Sequence, residues 1–281
     1  MRKIKGWEQV LYQAALVLVA LFVLLPVWGL VRLAVDGSIQ GAPTTFNLLP
    51  GQFTLKVFME EWQTPAQSLS FTGLLKNSLL VAGGAALISV VLGATMAYAF
   101  ARYRFPGRKP GLFMLLVGAF LPPVALMTPL YIILQQMGLR DSLWGLTIVY
   151  VAFALPFCIW NMRAAFQAIS EELEEAAFLD GATPFYAFLT IDLPLALPSI
   201  AVAALVAFLA GYSEFAIGWL FVEKSANVTL AMAVWGVQTM GAEPWSKLAA
   251  LALMMSVPVV VVFFALQRSL LDRLFMGAVD E

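Results

Sequence analysis

With 62% hydrophobic and only 12% charged residues over 281 positions, this chain departs from soluble domains, where about a quarter of residues are charged, and reads as a polytopic membrane protein. It has no histidine and one cysteine, Cys158, which excludes an internal disulfide, the usual zinc-ligand sets and a histidine-activated nucleophile. The net charge of -1 says nothing about partners, because in such a protein charge is sorted by side of the membrane.

A crossing helix needs about 20 mostly apolar residues, and six such runs follow one another. Residues 1–9 carry Arg2, Lys3 and Lys5 ahead of the first run, 10–34. A basic start before an apolar run resembles a secretory signal, but this run exceeds the roughly 7 to 15 residues of a signal core and lacks a small-residue cleavage site, so it is expected to remain as a span. Residues 35–78, with Gly37, Gly41, Pro43, Pro50, Gly51 and Pro65, form a predicted external connection holding a short amphipathic helix through 53–62. The second run, 79–100, contains Gly83, Gly84, Ala85, Ala86, Gly93 and Ala94, whose small side chains let backbones approach closely. It is predicted to lie inside the bundle or at a subunit contact.

A short basic segment, 101–110, leads to the third run, 111–135, which holds Pro122, Pro123 and Pro129. Residues 136–142 connect it to the fourth, 143–161, with Pro156. A cytoplasmic loop, 162–194, precedes the fifth run, 195–222, with Pro198. Within the external loop 223–247, residues 228–240 are apolar but only 13 long, which suits an interfacial or re-entrant piece better than a crossing. The sixth run, 248–267, contains Pro258, and 268–281 form the tail. Each intramembrane proline reads as a kink whose freed carbonyl neighbouring helices satisfy, or as a moving hinge.

Six crossings put both termini on one side, and the basic residues choose which. Arg2, Lys3, Lys5, Arg102, Arg104, Arg108, Lys109, Arg163, Arg268 and Arg273 fall on the side of the termini, against Lys56, Lys76, Arg140, Lys224 and Lys247 opposite. The positive-inside rule makes both termini cytoplasmic, and the acidic loop 162–194 is no objection because carboxylates contribute little to that bias.

That loop is the most informative stretch of the chain. Ser170 is a good N-cap and Glu171 and Glu172 sit where the helix dipole favours negative charge, so a helix starts there. Gly181 ends it at little steric cost. Thr183 then caps a second helix with Pro184 at its first position. The product is a tight helix-turn-helix, with Glu171, Glu174 and Glu175 at helical spacing and Leu173, Ala176 and Ala177 on the opposite stripe. A small apolar face beside carboxylates suits a basic-rimmed groove on another protein; an ordinary solvated loop is the plainer alternative.

The pattern Glu175-Ala176-Ala177, three residues, Gly181, nine residues, Ile191, one residue, Leu193-Pro194 resembles the EAA loop of binding-protein-dependent ABC importer permeases without a departure. Lys76-Asn77-Ser78, Ala97 through Phe105, and Thr229-Leu230-Ala231-Met232 extend the likeness, which is greatest to the carbohydrate permeases of the MalG type. The resemblance implies an all-α polytopic membrane protein of the ABC importer type I (MetI-like) permease fold, with six transmembrane helices and both termini cytoplasmic. It implies a bacterial or archaeal plasma-membrane location and a heteromeric machine with a MalF-like second permease, a dimer of MalK-like ATPase subunits and an extracytoplasmic sugar-binding protein. Lipid is its solvent, and no nucleic acid partner is expected. No cofactor is expected in this chain, since ATP and Mg would be bound by the ATPase subunits, and the chain itself would not be an enzyme. The residues assigned to ATPase coupling are Glu174, Glu175, Ala176, Ala177, Asp180, Gly181, Leu193 and Pro194. Met240, Gly241, Ala242, Glu243, Pro244 and Trp245 match the stretch that touches the binding protein. The tail from Phe275 to Glu281 matches one that reaches the ATPase interface, although here it ends acidic.

Sugar sites pair aromatic faces with hydrogen-bonding groups, and the fifth run offers Tyr212, Glu214 and Trp219. An intramembrane carboxylate is a functional candidate, whereas Tyr and Trp also serve as interfacial anchors. Maltose, maltodextrins and trehalose all remain compatible. The rival class is a secondary transporter working without an ATPase, which would be expected to show internal repeats and buried ion-binding charges. A channel would need a filter-like motif.

Overall fold

The structure, a computed structural model, describes residues 6–39, 41, 47–63, 69–239 and 245–276, and their regular structure is helical apart from isolated bridge contacts such as Asp36 with Phe53. Four helices are long and apolar enough to cross a membrane, Gly6–Val35, Phe71–Arg102, Leu143–Ala168 and Trp245–Gln267, and two sharply bent helix pairs raise the number to 6 if each counts as one span. The chain divides into two compact units, Met1–Pro65 with Val234–Ser256, and Ala66–Ala233 with Val257–Glu281.

The larger unit is built on three mutually packed helices, α3 (Phe71–Arg102), α6 (Leu143–Ala168) and α10 (Leu197–Ser213). The small residues of α3 make this possible. A Cβ on Gly93 would stand 2.7 Å from Met162 Cε and 3.0 Å from Cys158 Cβ, and Ala82, Ala85, Ala86 and Ala94 are buried. The interior position expected for this helix is what the structure has. Ser142 starts α6 by accepting from Gly145 N at 2.9 Å, and a side chain on Gly145 would fall on the Leu139 carbonyl.

Two of the expected single crossings are broken. The run 111–135 is divided into α4 (Arg108–Phe120) and α5 (Pro123–Gln136), bent by 103°. Pro122 forces Leu121 into extended backbone and Pro123 starts the next helix, where its missing N–H does no harm. The run 195–222 likewise is α10 followed by α11 (Ala216–Phe221), separated at Glu214 and Phe215. By contrast, Pro156 sits inside continuous α6. Residues 228–240 contribute α12 (Leu230–Thr239).

In the smaller unit, α1 (Gly6–Val35) leads into a knot around Asp36. Asp36, 1% exposed, accepts from Arg32 Nη2 at 3.0 Å, from Ser38 N and Oγ at 3.1 and 2.6 Å, and from Gly51 N and Gln52 N at 3.0 and 3.2 Å. Burial alone would raise its pKa, but these hydrogen bonds outweigh it and hold the carboxyl well below the usual range. The short helix α2 (Lys56–Gln63) packs Val57 and Phe58 with Leu30, Leu33 and Ala34 of α1 and Ala249, Ala250 and Leu253 of α13 (Trp245–Met276). Lys247 pairs with buried Glu61 at 3.4 Å.

Candidate functional site

The loop after α6 folds as two limbs. The first is α7 (Glu171–Leu179), capped by Ser170 Oγ accepting from Glu172 N at 3.3 Å. Gly181 follows at φ +87°, and Thr183 Oγ1 accepts from Tyr186 N at 3.3 Å to start the second limb. That limb runs through α8 (Pro184–Ala187), a π-helical turn at Phe188–Asp192 and α9 (Leu193–Leu195), then bends by 76° into α10.

The two faces of this element differ sharply. Outward stand Glu175, Ala176, Asp180 and Gly181, with Leu179 89% exposed and Phe185 and Tyr186 also open. Ala177, Asp180, Gly181, Ala182, Thr183 and Tyr186 line an open depression of about 480 Å³. Leu193 is half-buried and Pro194 exposed.

Inward lies an ionic cluster that the sequence reading missed. Glu174, grouped there with an exposed carboxylate face, instead turns into the protein and is 6% exposed. It pairs with Arg102 Nε at the end of α3 and accepts from Tyr98 Oη at 3.0 Å. Arg102 Nη2 also reaches Asp192 Oδ1 at 3.3 Å and donates to the Ile169 carbonyl at 3.0 Å. Tyr98 packs against Phe166 and Phe188 at centroid distances of 5.7 and 4.7 Å. Burial, and then the neighbouring Glu174 carboxylate, push the Asp192 pKa up from 3.8 to about 6 despite Arg102. Tyr98 and Arg102 belong to one family-like motif and Asp192 to another; the pairing between them was not legible because it joins residues 90 positions apart.

Two further motifs also meet. Asn77 Nδ2 donates to the carbonyls of Ala226 and Val228 at 2.8 and 2.9 Å, and Ser78 Oγ accepts from Leu230 N at 2.7 Å. Asn77 and Ser78 of the Lys76-Asn77-Ser78 triplet therefore clasp residues 226–230, which run into the Thr229–Met232 stretch. Beside it, Asp141 at φ 56° accepts from Glu223 N and Lys224 N at 3.0 and 2.9 Å and pairs with Lys224 Nζ at 3.2 Å. Burial would raise the Asp141 pKa, but the bonds from Lys224 lower it overall.

A cavity of about 460 Å³ opens between α4, α5, α6, α10 and α11. Its lining is mainly apolar, including Leu121, Val124, Met127 and Phe153, with Glu214 and Tyr150 as polar members. Glu214 accepts from Ile217 N at 2.9 Å, Gly218 N at 3.1 Å and Tyr150 Oη at 2.8 Å, so it caps α11 across the break. Tyr212 and Trp219 are not among the lining residues: Tyr212 is buried and stacks on Phe208 at 5.3 Å, and Trp219 Nε1 donates to Met232 O at 3.2 Å. Met240, Gly241, Ala242, Glu243 and Pro244 lie outside the described residues, as do positions 277–281 of the tail, while Trp245 opens α13 half-exposed. Among the described residues no cluster of metal-ligating side chains occurs.

Residues 89–275 match the family described as "Binding-protein-dependent transport system inner membrane component". The chain is 33% identical to the trehalose transport system permease protein SugB of Mycobacterium tuberculosis over 98% of this chain and 99% of that one. It is 36% identical to the maltose/maltodextrin transport system permease protein MalG of Escherichia coli over 72% of this chain and 70% of that one. In fold it is similar to a chain in the crystal structure of a bacterial ABC transporter involved in the import of the acidic polysaccharide alginate, with a TM-score of 0.74 over 95% of this chain and 99% of that one at 20% identity.

Proposed function

This chain belongs to the inner membrane components of binding-protein-dependent transport systems, and we propose on that basis that it is one of the two permease subunits of an ATP-driven sugar importer. Components of this family are not catalytic, and ATP is hydrolysed by a separate ATPase subunit. The observation that carries the proposal is the two-faced helix-turn-helix: an open side formed by Glu175, Ala176, Asp180, Gly181, Leu179 and Tyr186, and a buried side riveted to α3. Such an element can receive a push from a partner and pass it to the membrane helices. The partners are a MalF-like permease, a dimer of MalK-like ATPases holding ATP and Mg, and an extracytoplasmic sugar-binding protein.

The coupling residues divide by role. Glu175, Ala176, Ala177, Asp180, Gly181, Leu193 and Pro194 belong to the ATPase contact, whereas Glu174, buried against Arg102 and Tyr98, belongs to the fastening of the loop. The basic residues Arg102, Arg104 and Arg108 near the loop favour a cytoplasmic position, with both termini on the same side. The wall containing Glu214 contributes to the translocation pathway, and the names of the relatives support trehalose or maltodextrin-like cargo.

The test is reconstitution of the purified complex in vesicles with radiolabelled trehalose or maltose. Uptake is expected only with ATP, a co-purifying ATPase and the binding protein. Uptake that persists without ATP would instead support a secondary transporter. In a Cys158→Ala background, Tyr186→Cys is expected to react with an impermeant thiol reagent only from the cytoplasmic side.

A further inference from the structure

Arg102 stands where three segments converge. Its side chain, 7% exposed, projects from the last turn of α3 and meets Glu174 on the first limb of the loop, Asp192 on the second limb and the Ile169 carbonyl at the end of α6. The geometry points to Arg102 as the positioning residue of the coupling loop, a guanidinium that ties both limbs to α3 so that movement of the loop is delivered to that helix as a rigid displacement. This rests on the reading of the loop as the coupling element.

Three observations carry it. The covalent joints of the loop are pliable ones: Ile169 and Ser170 are extended backbone between α6 and α7, and the second limb enters α10 through the 76° bend. Without a cross-tie, a push on α7 would be taken up at those joints. Second, the arrangement needs a fork, with Nε serving Glu174 while Nη2 serves both Ile169 O and Asp192. A lysine presents a single charged point and cannot span these acceptors in the same way. Third, the π-helical turn places Phe188 and Asp192 together on the buried side, so the second limb offers one carboxylate and one ring to the same spot. Two carboxylates buried with one guanidinium are a poor route to stability, because desolvation offsets much of the pairing. Geometric specification is the gain that remains. Tyr98, Phe166 and Phe188 supply apolar contact beside the cluster, which leaves a basis for folding when the charges are removed.

The experiment compares Arg102→Lys, and the neutral triple variant Arg102→Met with Glu174→Gln and Asp192→Asn, in the full complex in vesicles. Complex assembly, ATP hydrolysis and radiolabelled trehalose or maltose moved per ATP are measured together. The triple variant is expected to assemble and hydrolyse ATP while cargo per ATP falls about tenfold, with Arg102→Lys between it and the unaltered protein. Unaltered cargo per ATP in the triple variant would overturn the inference, and failure of the triple variant to assemble would also overturn it by making the cluster a folding element. Gly181→Val run alongside separates the two levels: if it uncouples transport while the Arg102 variants stay coupled, only the role of Arg102 falls. If none of them affects cargo per ATP, the coupling role of the loop falls too.

Discussion

At the scale of the residue, adjacent glutamates in the same helix have opposite fates. Glu174 is buried against Arg102 and Tyr98, and Glu175 is exposed. No local signal separates them, since both suit the first turns of a helix; only the direction in which α7 packs decides. Gly181 is different, because its φ of +87° is a local demand. A non-glycine residue there costs about 1 to 2 kcal/mol, more with a branched Cβ, so Gly181→Val is expected to leave the chain in the membrane, by fractionation, while abolishing uptake. Asn77→Ala would leave the Ala226 and Val228 carbonyls without their donor and is expected to lower stability by about 1 to 3 kcal/mol, read as a lower melting temperature of the detergent-purified complex. Asp192 makes a prediction in pH. Its carboxyl binds a proton up to about 6 when folded against 3.8 ordinarily, so the folded state holds more protons than the unfolded state between those values. Its contribution to stability falls as pH rises from 3.8 to about 6 and is level above. The difference in melting temperature between the native protein and Asp192→Asn, followed across that range, is expected to show this slope.

At the scale of the element, apolar length identified the membrane helices but not their continuity. Pro122 and Pro123 divide one run by 103°, while Pro156 leaves α6 unbroken, although all three are prolines in apolar surroundings. The difference is physical: consecutive prolines remove two donors and push the preceding residue out of the helical region, whereas one proline removes a single bond that neighbours can replace. The α10–α11 break has no proline at all. Glu214 creates it by leaving the helix and capping the next one, with Tyr150 holding its other side. In the sequence Glu214 stands out as a carboxylate in a span, and its capping role is visible only from its hydrogen-bond partners. Glu214→Ala is expected to lose about 0.5 to 2 kcal/mol as a missing cap, and Tyr150→Phe less; thermal unfolding of the purified complex measures both. If the cavity forms part of the pathway, both variants also slow uptake.

At the scale of the whole molecule, exposed Leu, Val and Phe side chains along α1 and α13 require a lipid or protein environment. The Asp36 knot is the corresponding polar feature of the smaller unit, and Asp36→Ala, which removes the acceptor of Arg32 Nη2 and of the backbone donors of Gly51 and Gln52, is expected to lower stability by about 1 to 3 kcal/mol, read as a lower melting temperature of the purified complex. By itself the sequence determined the membrane character, the helical class and the helix-turn-helix with its Gly181 turn, because these follow from composition, apolar run length and short-range backbone preferences, and the spacing from Glu175 to Pro194 carried the resemblance to the family. Only the tertiary structure decided that Arg102 holds Glu174 and Asp192, that Asn77 and Ser78 clasp residues 226–230, and that Glu214 caps α11 beside a cavity. The clasp and the Arg102 ties join atoms far apart along the chain, and Glu214, whose cap lies within one turn, gains its Tyr150 partner from 64 positions away; these distant partners are chosen by how helices pack, an interaction that no local window of sequence encodes.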